Sequence, residues 1–183
     1  MAASDPPTDG YAIEGYACLF DVPDLGRDLV ERGAFAASLA RQGAGGVRML
    51  YQHDPAEPIG VWTDVIEDGR GLYVRGRLSP FVARAREVAA LVRDGALDGL
   101  SIGFKAVTAR TDPRTRLRRI ARIDLWEVSV VTFPMQPQAR IARKTDDARI
   151  ARKTDDARIR RPAPSPAALL TAAAARLRAA ASA

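Results

Sequence analysis

The stretch that decides the fold is Ile59–Gly95, IGVWTDVIEDGRGLYVRGRLSPFVARAREVAALVRDG. Two β-rich runs, Ile59 to Ile66 and Leu72 to Leu78, flank Asp68 and Gly69, whose turn chemistry predicts a hairpin. In the second run Leu72, Val74 and Leu78 alternate with Tyr73, Arg75 and Arg77. The period then changes. Ser79 is placed to cap a helix opening at Pro80, with Phe81, Ala85, Val88, Ala89 and Val92 as its apolar stripe and Gly95 as its end.

Outward from this unit, Tyr11–Phe20 reads as a strand apolar on both faces. Gly33–Gln42 reads as a short helix stopped at Gly43, and Val47–Gln52 as another strand. Leu100–Ala109 and Leu117–Thr132 return to strand character across a polar turn at Asp112 and Pro113. About six strands with two helices predict an α+β fold: a mostly antiparallel, β-barrel-like sheet flanked by helices. Trp62 and Trp126 are expected in its core.

Of 183 residues, 1–10 read as a flexible leader and 11–138 as the folded domain. Residues 139–166 read as a basic linker and 167–183 as an alanine-rich helix anchored by Leu169, Leu170 and Leu177. The linker carries a literal duplication, ARIARKTDD at Ala139–Asp147 and again at Ala148–Asp156, with ARIRR beginning a third copy. A nine-residue period turns a helix by about half a turn per copy and inverts strand faces, so no single face can be buried throughout.

Charge is uneven. From Ala139 onward the chain holds 11 of its 28 Lys and Arg against 4 of its 22 Asp and Glu, while the preceding residues carry 17 against 18. The basic character therefore belongs to the tail, where interleaved aspartates and the lack of aromatic residues weigh against nucleic-acid binding. One cysteine, Cys18, allows no internal disulfide, and with one histidine leaves no Cys/His zinc cluster. Cys18 reads as an inert packed thiol. No apolar run is long enough to cross a membrane and the first residues lack the pattern of a secretory signal, so cytoplasmic synthesis is expected.

Two candidate chemical groups stand out. His53, in MLYQHDPAEPI, is the chain's one possible imidazole base, and Ser101 lies in LDGLSIGF. Taken alone, Ser101 reads as a serine on a solvent-facing strand edge, and His53 as a surface side chain bonded to Asp54. Their setting argues otherwise: GAFAASL at Gly33–Leu39, QHDP, PIGVW at Pro58–Trp62, DGLSIGF, and DLWEVSVVTFP at Asp124–Pro134. These words, in this order, resemble the prohead maturation serine proteases of tailed phages over roughly Tyr11 to Ala139.

That resemblance implies Ser101 as nucleophile and His53 as general base, with no cofactor, and a fold similar to that of the herpesvirus assembly proteases. It also implies an endopeptidase that cleaves the N-terminal scaffold-like segment of the major capsid protein, and itself, within an immature procapsid in the host cytoplasm. The partners implied are the capsid protein or a scaffold segment, with self-association left open. The carrier could be a phage, a prophage or a phage-derived gene transfer particle. A third group should orient the imidazole. Herpesvirus enzymes use a second histidine, which this chain lacks, leaving Asp124 and Glu127. Regular alternation puts these two on opposite faces, and Glu127 shares parity with Ile123, Leu125 and Ser129, an inward face, so Glu127 is favoured. The competing readings are an ion pair from Glu127 to Arg118, Arg119 or Arg122, and Asp54 as partner of His53. The oxyanion hole is left unassigned; Gly99 and Gly103 read equally as substrate-approach positions or strand irregularities. The rival function is a non-catalytic capsid assembly or scaffold module docking through the basic tail.

Overall fold

The computed structural model describes residues 10–146. Its elements in chain order are β1 (Tyr11–Leu19), β2 (Asp28–Val30), α1 (Ala36–Gln42), β3 (Arg48–Tyr51), β4 (Asp54–Glu67) and β5 (Gly71–Leu78), then α2 (Ala83–Asp94), β6 (Gly99–Thr111), β7 (Arg118–Val131) and β8 (Ile141–Asp146).

The predicted hairpin is β4–β5. Asp68 Oδ1 closes its turn by accepting from the N–H groups of Arg70 and Gly71 at 2.7 and 2.9 Å, while Leu72, Val74 and Leu78 are fully buried. Helix α2 starts at Ala83, three residues later than Ser79 and Pro80 suggested, because Val82 is still extended and no side chain caps the helix. Phe81 is consequently left 82% exposed outside the apolar stripe, which consists of Ala85, Val88, Ala89 and Val92. Gly95 closes the helix with φ at +77°.

All eight strands form one mixed, curled sheet in the order β2-β7-β3-β4-β5-β1-β8, with β6 added on β7. Only β2–β7 and β3–β7 are parallel pairs. The short β2 went unrecognised in the sequence, since three residues are too few to display alternation. The sheet nearly closes on itself through the chain at Ala139–Ile141. Leu100 N–H donates to the Ala139 carbonyl at 3.0 Å, Ile141 N–H to that of Asp98 at 2.7 Å, and Arg140 bridges Gly99.

This closure corrects the expected domain boundary. The first copy of the repeat is not linker as far as Asp146: it pairs along β1, with Tyr11 opposite Asp146 and Glu14 opposite Arg143, and Ala139 is fully buried. The nine-residue period excludes a common buried face for all copies, but one copy alone can complete a sheet edge through its backbone. The leader as far as residue 9, the rest of the basic linker and the alanine-rich helix lie outside the described residues. A chain ended after Gln138 should therefore melt several degrees below the full chain, whereas one ended after Asp147 should match it. Equal melting temperatures for the two truncations would contradict the role given to β8.

Candidate active site

His53 sits at the tip of the β3–β4 connection. Tyr51 pairs with Asp54, so the loop is only Gln52 and His53, and both adopt left-handed backbone, φ +54° and +61°. Two such residues define the tight turn that matches strand twist, a position normally filled by Asn-Gly. Non-glycine residues there cost about 1–3 kcal/mol each and persist only when their surroundings hold them. The end of β7 and the residue after it hold them. Gln52 N–H donates to the Val130 carbonyl at 3.1 Å, and the Gln52 amide exchanges hydrogen bonds with Thr132, 2.7 Å to its hydroxyl and 3.3 Å from its N–H. His53 N–H donates to Ser129 Oγ at 3.1 Å.

The imidazole meets Glu127, with Nδ1 2.6 Å from Oε1. A carboxylate only accepts, so Nδ1 carries a proton, and in the neutral ring Nε2 keeps its lone pair. The hydrogen bond donated to Glu127, reinforced by the carboxylate's charge, raises the His53 pKa above the ordinary imidazole value, against the lowering effect of burial. Glu127 is itself buried and its second oxygen, Oε2, accepts from the Ser129 hydroxyl at 2.6 Å.

Glu127 reaches this place through an irregularity. Gly103 opposes Glu127 but the next residue, Phe104, opposes Leu125, leaving Trp126 as a β-bulge. Facing residues of an antiparallel pair share a face, so Leu125 and Glu127 project to opposite sides and the expected regular alternation fails. Beyond the bulge Asp124 opposes Lys105, which returns it to the face of Ser101 and Gly103. The expectation that only one of the two carboxylates could lie there is thus overturned. Asp124 is engaged elsewhere, by Arg41 and by the indole N–H of Trp126. Helix α1 satisfies the backbone freed by the bulge: Leu125 N–H donates to Ser38 Oγ at 3.0 Å and the Leu125 carbonyl accepts from the Gln42 amide at 2.6 Å. Trp126, expected in the core, is turned out and 56% exposed.

Ser101 lies on β6 directly opposite Ser129, on the face that carries Gly103 and Glu127. It is 5% exposed, so the solvent-facing edge reading does not hold. Its hydroxyl has no hydrogen-bond partner among the described residues; hydrogen bonds of this type are often loose before substrate binds. Asp54, Arg118, Arg119 and Cys18 are placed elsewhere. Asp54 caps the Ala56 N–H at 2.8 Å, Arg118 pairs with Asp28 and Arg119 with Glu31. Cys18 is buried, and desolvation pushes its thiol up to about 12.

A family model described as caudovirus prohead serine protease matches residues 1–153. The chain belongs to that family. It is 39% identical over 135 residues to the prohead protease of Enterobacteria phage HK97, covering 71% of this chain and 58% of the relative, so it spans less than two thirds of that protein's length. Among solved structures, the bacteriophage T4 capsid assembly protease superposes with a TM-score of 0.53 at 18% identity, over 67% of this chain and 81% of that one, a likeness of fold. The KSHV protease in complex with a hexapeptide phosphonate inhibitor matches 69% of this chain and 61% of that one at 14% identity, with a TM-score of 0.47. Three residues of the site were given no role from the sequence, Gln52, Ser129 and Thr132, and Gly103 was singled out there without its relation to Glu127. The QHDP word carries no glycine or asparagine to signal the turn, and a serine two residues from Glu127 is an ordinary strand residue until the register is known.

Proposed function

We propose that the chain is a serine endopeptidase of prohead maturation, with Ser101 as nucleophile, His53 as general base and Glu127 as the acid that orients it. The observation that carries this reading is the contact between Glu127 and Nδ1 of the chain's one histidine, on the sheet face that bears Ser101. His53 Nε2 takes the Ser101 proton as Oγ adds to the scissile carbonyl, and Glu127 stabilises the imidazolium that forms. The imidazolium then protonates the departing amine, leaving an acyl group on Ser101. Water, deprotonated by the same nitrogen, releases it.

The substrate proposed is the N-terminal scaffold-like segment of the capsid protein, with self-cleavage in addition, inside the immature shell in the host cytoplasm. Membership of the prohead protease family and the fold shared with a capsid assembly protease support this assignment. No helix among the described residues is long and apolar enough to cross a membrane. The test is co-expression of the full chain with the capsid protein of its own gene cluster, read by intact mass of both. A capsid protein shortened at one N-terminal bond is the expected result; unshortened capsid protein in assembled shells would contradict the reading.

A further inference from the structure

We propose that Ser129 and Gly103 are positioning residues that seat the Glu127 carboxylate against His53. The inference rests on the hydrolytic reading above and extends it to two residues outside the three that would perform the chemistry.

Ser129 is fully buried and its hydroxyl is used twice, giving its proton to Glu127 Oε2 and accepting the His53 N–H. A hydroxyl has one proton to give, so the two roles are compatible and both directions are fixed. The terminal torsion of a glutamate is broad. With Oε2 held by Ser129 and Oε1 against Nδ1, both ends of the carboxylate are anchored and that freedom is removed. The same hydroxyl also helps hold the left-handed backbone on which the imidazole is carried. One atom thus fixes both halves of the His53–Glu127 pair.

Gly103 acts from the opposite side by leaving space. A β-carbon built there would lie 2.0 Å from Glu127 Oε1 and 2.7 Å from its Cδ. The backbone of Gly103 is not in the left-handed region, so no conformational demand calls for glycine. A side chain there could enter only by displacing the carboxylate. In LSIGF, therefore, the glycine two residues after Ser101 is explained by a residue on the neighbouring strand.

Because the chain has one histidine, its single Cε1–H resonance reports the protonation of that ring in the intact protein. Glu127 is the charged group acting on that ring, the neighbouring Asp54 being turned to Ala56. The experiment titrates this resonance in the full chain and in Ser129→Ala, Ser129→Thr and Gly103→Ala, and measures kcat and KM on a peptide spanning the bond cut in the capsid protein. Ser129→Ala and Gly103→Ala should titrate at lower pH than wild type and lose up to about a hundredfold in kcat with KM unchanged. Ser129→Thr, which keeps the hydroxyl, should recover most of both. A folded Ser129→Ala protein with an unmoved titration midpoint overturns the proposal, whatever its activity, and if Gly103→Ala does not fold, Ser129→Ala and Ser129→Thr decide. Shifted midpoints in a chain that cleaves nothing would uphold the seat and refute the hydrolytic reading instead.

Discussion

Replacing Ser101 with alanine should abolish processing of the co-expressed capsid protein, a loss on the order of 10⁴-fold or more, and His53→Ala should do the same. The two losses should not add, because nucleophile and base act as a unit and either absence returns the reaction to what binding alone provides. Neither change should unfold the domain. Ser101 contributes no side-chain hydrogen bond among the described residues, and His53 stands 42% exposed at a turn tip whose backbone is held by β7 and Thr132. Cleavage at the wild-type rate by a folded Ser101→Ala chain would end the serine mechanism. Cys18→Ser should cleave normally, as expected for a thiol whose pKa burial has pushed to about 12.

The second large effect belongs to Glu127. Changing it to glutamine keeps the shape but removes the charge and allows an amide to face Nδ1, which favours the wrong tautomer; a fall of about 10⁴-fold in kcat is expected. The titration of His53 should move with it. In the wild type the hydrogen bond to Glu127 raises the imidazole pKa and burial opposes the rise, so loss of the carboxylate leaves burial and shifts the midpoint to lower pH. The acid limb of kcat/KM should follow the same direction. For stability the sign is the reverse of the usual carboxylate case. A histidine pKa raised on folding adds stability fully present below its unfolded value, near 6.5, and lost as pH rises through the folded value. Glu127→Gln should therefore narrow the stability difference between mildly acidic and mildly alkaline solution. Asp124→Asn, with its carboxylate held by Arg41 and Trp126 rather than by His53, should leave turnover near wild type. The opposite ranking of the two substitutions would contradict the assignment.

How far the sequence reached depended on whether a local pattern reported a local fact. The β4–β5 hairpin and the buried stripe of α2 were legible because alternation of period two, a turn aspartate and a helical apolar face are each written in consecutive residues. The start of α2 was not, since Val82 stays extended in spite of the Ser-Pro signal ahead of it. The words around His53 and Ser101 marked two chemically capable residues but not their relation, which arises because β3 and β6 both pair with β7, bringing His53 to Glu127 across 74 residues of chain. Glu127 was favoured on an argument from unbroken alternation. The bulge at Trp126 breaks that alternation, and Glu127 meets His53 because the register resumes opposite Gly103. No residue in DLWEVS signals a bulge; its cause is tertiary, in the grip of Ser38 and Gln42 on the backbone of Leu125. The strand β8 was hidden for a related reason, since an edge strand needs a partner's backbone more than a pattern of its own.

The most direct measurement is covalent labelling of the intact chain with a fluorophosphonate, which phosphonylates a serine, with loss of fluoride, when a base has made its hydroxyl nucleophilic. Peptide mapping of the wild type should find one adduct, on Ser101, and labelling should be lost in His53→Ala and strongly slowed in Glu127→Gln. A folded wild-type chain that takes up no label, or takes it up on a residue other than Ser101, would contradict the account.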